Sequence, residues 1–311
     1  MPMITSPPLL TLSLLLAGSF IALGPGHAHG QQVESARLIR DLSVLAHDSM
    51  QGRAPGTPQS AKARAFVIEQ LAAAGARPIG DSFEYPFETP RASGVNVVAR
   101  IAGKQPDAPA IVLTAHYDHE GVRGGIVYNG ADDNASGVVT ALAIARALRA
   151  EPLDHPLVIA FVDAEEAGMV GSRALVGAFP IPLSSVGLNV NLDMVARTEG
   201  TLWAAGAHHT PALRPVLESV AARPPVRLRL GHDSAGAPEG ADWTRSSDHA
   251  PFHAAGIPFV YFGVEDHEDY HRPSDDTERV SPDEFLASVQ TILAALHALD
   301  AALPSLREPT L

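Results

Sequence analysis

Apolar and polar positions along the chain alternate between two periods. Short, continuous apolar runs, typical of strands buried on both faces, are separated by longer stretches with helical spacing. The predicted strands are 82–89, 95–101, 111–115, 157–162, 186–192, 201–205, 226–230 and 258–262. The predicted helices are 33–47, 60–73, 135–150, 170–179, 211–222, 248–255 and 281–303. This alternation predicts an α/β fold with a mostly parallel mixed sheet and helices on both faces. The length allows one large domain or two small ones, and we expect a single domain over residues 31–311.

Three local patterns refine this prediction. In the second helix one apolar stripe is the predicted buried face, formed by Ala61, Ala65, Ile68, Leu71 and Ala72. The stretch DSMQGRAPG at 48–56 predicts a loop because it is rich in glycine and proline. Ser281 followed by Glu284 predicts a capping box at the start of the closing helix.

Polar residues follow four of the predicted strands, directly or after a short loop: His116, the pair Glu165–Glu166, Asp193 and His271. In parallel sheets, ligands bind beyond the carboxyl ends of the strands. We therefore expect these side chains, which are distant in sequence, to converge on one place.

The residue types at these positions are those that bind divalent cations. A site built from His116, Asp133, Glu166, Asp193 and His271 carries three carboxylates, and with one hydroxide they neutralise two divalent ions. One carboxylate then has to bridge the two ions, as in two-metal hydrolases. Next to these ligands, Glu165 is placed to act as a general base, and Asp118 to orient the imidazole of His116.

Each motif also has a simpler interpretation. HYDH at 116–119 can be a polar loop, adjacent glutamates often begin a solvated helix, and Asp193 can cap a turn. His271 lies in an acidic run that is typical of a surface loop. His208 and His209 have no carboxylate beside them, whereas His119 and His267 stay open as candidates.

Composition limits the possible classes of protein. The 311 residues are 46% hydrophobic, and the formal net charge is −13, which argues against a nucleic-acid partner. The acidity fits binding of metal cations or of positively charged substrate ends. The absence of cysteine excludes disulfides, thiolate zinc sites and cysteine nucleophiles.

The N-terminus resembles a secretory signal. An apolar run at 9–23 precedes small residues, with predicted cleavage after Ala28 or Gly30. The segment before the run has no Lys or Arg, and an uncleaved anchor is the alternative, but the run is short for a membrane span. We expect residues 1–30 to be removed, the protein to be secreted or periplasmic, and no later segment to be long and apolar enough to cross a membrane.

Seven motifs occur in an order that resembles the M28 family of zinc aminopeptidases, between about 110 and 277. They are HYDH, NGADDNASG, AEEAGMVGS, NLDM, SSDHAPF with GIP, and DYHRPSDD, with a weaker echo in DSMQGRAPGT at 48–57. The resemblance implies a phosphorylase/hydrolase-like, zinc-exopeptidase α/β fold and a centre that holds two Zn²⁺ ions.

The resemblance also implies a role for each site residue. His116 and Asp193 are similar to the ligands of one zinc, Glu166 and His271 to those of the other, and Asp133, rather than Asp132, to the bridge. In catalysis, Glu165 is similar to the general base, Asp118 to the partner of His116, and Tyr270 to a tyrosine that polarises the scissile carbonyl in some relatives. A cis peptide bond after the bridging aspartate is expected at Asp133–Asn134.

The implied reaction is hydrolysis of the N-terminal peptide bond of peptides with a free N-terminus, through a hydroxide that bridges the two zincs. Glutaminyl cyclases share the fold and use one zinc, and a non-catalytic binding module is a further alternative. A carboxypeptidase or amidohydrolase needs a cation for the substrate carboxylate, for which Arg123, Arg197 and Arg245 are candidates.

Overall fold

The computed structural model describes residues 1–3, 33–223, 225–234 and 240–306. The apolar run at 9–23 and both predicted cleavage points lie outside the described residues. The strands are β1 (Arg77–Pro78), β2 (Glu84–Glu88), β3 (Ser93–Ile101), β4 (Ala110–His116), β5 (Gly121–Arg123), β6 (Ile126–Tyr128), β7 (Leu157–Val162), β8 (Val186–Leu192), β9 (Thr201–Ala205), β10 (Arg227–Leu230) and β11 (Phe259–Gly263). The helices are α1 (Ser35–Leu45), α2 (Pro58–Ala73), α3 (Gly137–Ala147), α4 (Val170–Gly177), α5 (Leu213–Ala221), α6 (His249–Ala254) and α7 (Pro282–Leu306).

Nine of these strands form one mixed sheet in the order β1-β3-β7-β4-β8-β11-β9-β10, with β2 paired to β3. Its centre is parallel, because β4 pairs in parallel with both β7 and β8, and β8 pairs in parallel with β11. The flanking pairs β3–β7 and β9–β11 are antiparallel. The predicted mixed sheet with helices on both faces is confirmed, and its strand pairs divide equally into four parallel and four antiparallel ones.

Alternate side chains of the central strands enter two separate cores, one on each face of the sheet. Leu113 on β4 and Ile159 on β7 belong to the larger core, which α1, α2, α3, α5 and α7 cover. Val112 and Val158 point into the smaller core, which contains residues of α4 and α6. Burial on both faces explains why these strands are apolar without alternation.

The predicted elements occur, most of them with shifted ends, but the predicted face of α2 is wrong. Its buried positions are Ser60, Ala63, Val67 and Leu71, whereas Ala61, Ala65 and Ala72 are exposed. Alanine carries too little apolar area to decide which face packs, and Val67 contributes more to burial than the alanines of the predicted stripe. The short strand β1 and the hairpin of β5 and β6 were not predicted.

The closing helix α7 corrects another expectation. It is long and apolar enough, by length and composition alone, to cross a membrane. In the fold, however, it packs on α1, α3, α5 and β8, and its apolar residues Phe285, Val289 and Ile292 are fully buried. At its start, Ser281 Oγ accepts a hydrogen bond from the Glu284 main-chain N–H at 3.4 Å, which is half of the predicted capping box.

The four central parallel strands present their carboxyl ends along one edge of the sheet. β4 ends at His116, β7 ends three residues before Glu165, and Asp193 follows β8 directly. The loop after β11 carries His271 to the same edge, where its imidazole contacts Glu166. The topology therefore brings the four predicted clusters together.

Candidate metal centre

Two groups of donor atoms share one carboxylate at this edge. The inner group consists of His116, Asp133 and Asp193, all buried. His116 Nε2 lies 3.4 Å from Asp133 Oδ1 and 3.2 Å from Asp193 Oδ1. Because β4 and β8 are hydrogen-bonded neighbours, the sheet itself sets the separation of His116 and Asp193.

The outer group is formed by Asp133, Glu166 and His271. His271 Nε2 lies 3.1 Å from Asp133 Oδ2 and 3.3 Å from Glu166 Oε2. Asp133 thus presents Oδ1 to the inner group and Oδ2 to the outer group. A carboxylate with its two oxygens directed to separate donor sets has the geometry of a bridging ligand.

Asp132 is directed away from both groups. Its Oδ1 accepts a hydrogen bond from the Ala196 main-chain N–H at 2.8 Å, and its Oδ2 lies 3.2 Å from His267 Nε2. The geometry therefore shows which of the two neighbouring aspartates faces the donor groups, a choice that residue chemistry alone did not make. It also gives His267 a contact with Asp132 rather than with either donor group.

A tight turn at Ala131–Ser136 directs Asp133 into the site. The main-chain N–H groups of Asp132 and Asp133 donate to the carboxylate of Asp275 at 3.0–3.1 Å, and the Asp133–Asn134 peptide bond is cis, as expected from the resemblance. Gly130 opens the turn with φ of +59°, and a Cβ there would stand 2.0 Å from the carbonyl oxygen of Asp133. Only glycine fits both the backbone angle and this close approach.

Asp118 links the inner imidazole to the turn that follows β7. The carboxylate of Asp118 is fully buried and accepts the main-chain N–H groups of Glu165 at 3.1 Å and Glu166 at 3.4 Å. The predicted contact with His116 is made differently, because His116 Nδ1 lies 3.2 Å from the Asp118 main-chain oxygen and 3.7 Å from Oδ1.

The donor atoms fit a pair of small divalent cations. Zinc bonds of about 2.1 Å in tetrahedral geometry place neighbouring donor atoms roughly 3.4 Å apart. The four separations given above, from 3.1 to 3.4 Å, match this spacing. No Lys or Arg in the described part of the chain forms an ion pair with these three carboxylates, so cations are the natural counter-charge.

The close packing of carboxylates and imidazoles shifts the pKa values of the site residues. Burial acts to raise the pKa of Asp133, but hydrogen bonds from His116 and His271 outweigh it and hold this pKa well below its usual range. The hydrogen bond to Asp133 raises the pKa of His271 to about 9. Burial raises the pKa of Glu165 well above its usual range, and Asp248, Asp193 and Asp118 raise it further.

A cavity of about 370 Å³ opens over both donor groups. The imidazole of His271 stacks on the ring of Tyr270, with centroids 3.9 Å apart. Both side chains therefore line the same wall of the cavity. The described lining residues include no Lys or Arg; they are His116, Asp133, Glu165, Glu166, Gly168, Asp193, Met194, Gly240, Trp243, Ser246, Tyr261, Val264, Asp266, Tyr270 and His271. The structure thus brings every predicted ligand, Glu165 and Tyr270 to one cavity.

Two further residues belong to the outer group and were not assigned a role from the sequence. His119 Nδ1 lies 2.6 Å from Glu166 Oε1 and 3.8 Å from Asp133 Oδ2. Glu120 Oε1 lies 3.7 Å from His271 Nδ1 and 2.6 Å from Arg123 Nη2. His119 is the last residue of HYDH and stayed open as a candidate, whereas the only signal for Glu120 was its place directly after this motif. Position in a loop does not indicate the direction of a side chain.

Comparison with known proteins is consistent with this geometry. A model of peptidase family M28 matches residues 96–296, a range that includes every predicted site residue. Aminopeptidase YwaD of Bacillus subtilis (strain 168) is 32% identical over 207 residues, which cover 62% of this chain and 41% of YwaD. N-carbamoyl-L-amino-acid amidohydrolase of Paenarthrobacter aurescens is 31% identical over 158 residues, covering 47% of this chain and 34% of that enzyme. The chain therefore spans less than half the length of these two relatives.

Solved structures share the fold over a larger part of the chain. BSAP, a zinc aminopeptidase from Bacillus subtilis, superposes with a TM-score of 0.65 at 16% identity, covering 85% of this chain and 95% of BSAP. Glutaminyl cyclase of Porphyromonas gingivalis gives a TM-score of 0.69 at 20% identity, covering 85% and 98%. The fold alone is thus common to two reactions. Together with the family match, which confirms the resemblance inferred from the motifs, these findings show that the chain belongs to peptidase family M28.

Proposed function

We propose that this protein is a zinc aminopeptidase that hydrolyses the N-terminal peptide bond of peptides with a free N-terminus. The observation that carries the proposal is the carboxylate of Asp133, whose two oxygens face two separate donor groups at 3.1–3.4 Å. A carboxylate that is shared by two metal sites is the arrangement of two-metal hydrolases.

The ligands of the proposed centre divide into two pairs around one bridge. His116 and Asp193 would hold one zinc, Glu166 and His271 the other, and Asp133 would contact both. When bound, the pair of zinc ions lowers the pKa of a water ligand to about 7 and polarises the substrate carbonyl. The family match supports zinc as the metal, as does a probable zinc metalloprotease of Leptosphaeria maculans that is 32% identical over 109 residues, covering 34% of this chain and 25% of that protein.

Glu165 is the proposed general base. It lines the cavity beside both donor groups, and burial is the main cause that raises its pKa above the usual range. A raised pKa favours proton uptake by a general base. Its main chain is held by Asp118, which restricts the turn that carries the carboxylate. In the proposed reaction Glu165 takes a proton from the attacking water and passes it to the leaving amine.

Tyr270 and Asp118 have supporting roles in the proposal. The Tyr270 ring lies on His271 and lines the cavity, where its hydroxyl can donate a hydrogen bond to the developing oxyanion. The buried carboxylate of Asp118 connects the His116 segment to the Glu165–Glu166 turn. It positions the inner imidazole and the general base relative to each other.

The charge of the cavity favours a substrate amine over a substrate carboxylate. Its described lining carries carboxylates but no Lys or Arg. Two candidate cations for a carboxylate are engaged elsewhere, because Arg123 pairs with Glu120 at 2.6 Å and Arg197 with Asp269 at 2.5 Å. These contacts argue against carboxypeptidase or amidohydrolase activity, because neither arginine is free to bind a substrate carboxylate. They support recognition of a free α-ammonium group.

A panel of aminoacyl-4-nitroanilides, with and without a chelator, tests the proposal. We expect cleavage that chelation abolishes and zinc restores, two zinc ions per chain, and no cleavage of the N-acetylated substrates. In Glu165→Gln, turnover should fall by about 10²–10⁴-fold while both ions stay bound. Equal cleavage of blocked and free substrates would contradict the aminopeptidase assignment.

Glutaminyl cyclisation is the second candidate, favoured by the structural similarity to the Porphyromonas gingivalis cyclase. Fold similarity does not decide the reaction, which depends on the site. The inner donor group is complete here, which supports two ions and hydrolysis. One tightly held zinc per chain, with conversion of an N-terminal glutamine to a ring, would favour the cyclase.

We also propose that the protein is exported and that residues 31–311 form its single peptidase domain. The apolar run at 9–23 and the small residues after it support export. Fractionation of cells that produce the full-length chain, with N-terminal sequencing of the mature protein, tests cleavage after Ala28 or Gly30. A mature protein that begins at Met1 would contradict it.

A further inference from the structure

The segment DSMQGRAPG at 48–56 lies outside the candidate metal centre. It contains a fully buried arginine close to the donor groups. Arg53 is 0% exposed. Its guanidinium donates to four main-chain oxygens: Tyr117 at 2.8 Å, Leu45 at 2.7 Å, Asn129 at 2.6 Å and Gly130 at 3.0 Å. Complete burial of an arginine is unusual and has to be compensated by such bonds.

Three of these oxygens belong to the two segments that carry the proposed ligands. Tyr117 is the residue between His116 and Asp118, and Asn129 and Gly130 lead directly into the turn that directs Asp133. One planar guanidinium therefore ties the end of β4 to the entrance of the bridging turn. The fourth oxygen, of Leu45, anchors this contact to the end of α1.

Arg53 also contributes positive charge without forming an ion pair. Its described hydrogen bonds all go to main-chain carbonyls. Burial lowers its pKa to about 10, whereas the nearby carboxylates of Asp118, Asp133, Asp275 and Glu166 act in the opposite direction. The guanidinium therefore remains charged at neutral pH and faces a region rich in carboxylates.

The backbone around Arg53 is held tightly enough to place its side chain. Gln51, Gly52 and Arg53 all have positive φ, of 44°, 65° and 53°. A Cβ on Gly52 would stand 2.2 Å from the carbonyl oxygen of Tyr128 and 2.7 Å from the N of Gly121. The loop is thus pressed against the hairpin of β5 and β6, and residues in the left-handed region persist only where their surroundings enforce them.

We infer that Arg53 is a positioning residue for the metal centre: its guanidinium holds the His116–Asp118 segment and the Asp133 turn at the separation that two ions require. The inference rests on the proposed function, because it assumes that these residues bind metal. It assigns a role to the motif at 48–57, which no step of the proposed reaction uses. Lysine cannot replace arginine in this role, because one ammonium cannot span four oxygens that a planar fork reaches.

Arg53→Lys is the decisive variant, with Arg146→Lys as its matched control. Arg146 is also a buried arginine, 8% exposed, but it pairs with Asp41 at 2.7 Å on α1, away from the donor groups. In Arg53→Lys we expect zinc affinity, measured with a competing chromophoric chelator, to fall by about 10–100-fold, and kcat to fall with KM little changed. Arg146→Lys should lower the melting temperature and leave zinc affinity and kcat within about twofold.

Chemical rescue separates positioning from general loss of stability. In Arg53→Ala, millimolar guanidinium should restore part of the zinc affinity and turnover, whereas urea, which has a similar shape and no charge, should restore less. Guanidinium should have no such effect on Arg146→Ala. An Arg53→Ala protein that binds two zinc ions with unchanged affinity, with or without guanidinium, would overturn the inference.

The unmodified protein provides a test that does not depend on the folding of a variant. Zinc loading should slow hydrogen exchange of main-chain amides at 48–54, because the loop is coupled to the donor segments, and should leave the amides of α7 unchanged. Exchange at 48–54 that is identical with and without zinc would contradict the coupling. If the unmodified protein fails to bind two ions, the proposed function fails; if it binds two and Arg53→Lys does too with equal affinity, only the role of Arg53 fails.

Discussion

The two halves of the candidate metal centre, which are its inner and outer donor groups, are held by different parts of the structure. In the inner half, the side chains of His116 and Asp193 are 2% and 11% exposed and stand at the ends of neighbouring strands. In the outer half, the side chains of His271 and Glu166 are 38% and 15% exposed and stand on a loop and a turn. Strand ends are fixed by the sheet ladder, whereas loop positions depend on side-chain contacts. We therefore expect the inner ion to bind more tightly than the outer one.

The supporting contacts of the two halves differ in the same way. Behind the inner half, the fully buried side chain of Asn191 accepts a hydrogen bond from Thr114 Oγ1 at 2.6 Å and donates one to Ser247 Oγ at 2.9 Å. The outer half is supported by His119 against Glu166 and by the Tyr270 ring on His271. Contacts among buried residues at strand ends are fixed by the sheet, whereas contacts among loop residues can rearrange more easily.

Asp133→Asn should have the largest effect, because it removes the element that both halves share. An amide has one oxygen, so it can ligate one ion at most, and we expect loss of at least one zinc and of measurable turnover. Asp132→Asn is the matched control, since Asp132 contacts His267 and the Ala196 N–H instead. Zinc content and peptidase rate of the purified variants provide the measurement. Two ions in Asp133→Asn would contradict the bridge.

His116→Ala and His271→Ala compare the halves directly. Each should weaken its own ion by more than the 10–100-fold that loss of an outer-shell partner costs. We expect His271→Ala to retain the inner ion and His116→Ala to disturb both, because the segment of His116 is joined through Asp118 to the turn that carries Glu166. Stepwise zinc titration against a chelator measures each affinity. If His271→Ala loses both ions while His116→Ala keeps one, the proposed order of affinity is reversed.

The smallest expected effect is on the free energy of unfolding and depends on pH. It concerns His249, which packs behind Tyr261 in the wall of the cavity. His249 is fully buried, stacks on Tyr261 and Phe259, and burial lowers its pKa to about 3. Below the ordinary pKa of 6.5, the unfolded chain binds a proton that the folded protein does not, so stability falls as the pH decreases from 6.5 toward 3. Between pH 7 and pH 5 this amounts to about 2 kcal/mol.

His249→Phe keeps the aromatic stacking and removes the titration. The loss of unfolding free energy between pH 7 and pH 5, measured by urea denaturation, should therefore be about 2 kcal/mol smaller in the variant than in the parent protein. Zinc affinity at pH 7 should not change. An equal pH dependence in the two proteins would show that His249 is not held neutral.

The strands and the meeting of the donor groups could be predicted from the sequence. Leu157–Val162 and Val186–Leu192 have the predicted bounds, because a strand buried on both faces requires an uninterrupted apolar run. The predicted face of α2 failed where small alanines left the pattern weak. The hairpin of β5 and β6 was missed because its strands have three residues each and expose Val122 and Ile126.

Local spacing did not predict the directions of side chains in loops. Asp132 and Asp133 are chemically identical neighbours, and only the turn at Ala131–Ser136 directs one to the donor groups and the other to His267. His119 and Glu120 were not assigned a role for the same reason. They lie in a loop, where helical or strand periodicity does not predict the direction of a side chain. Arg53 lies more than sixty residues before Tyr117, whose oxygen it binds.

The sequence by itself determined the fold class and the family, and it predicted which residues form the two donor groups. Apolar periodicity and residue chemistry are local properties, and they persist in any conformation of the chain. The tertiary structure alone decided which oxygen of Asp133 faces which donor group, the carbonyls that Arg53 holds and the unequal burial of the two halves. These depend on distances between segments far apart along the chain, which the packing of the sheet and its loops sets.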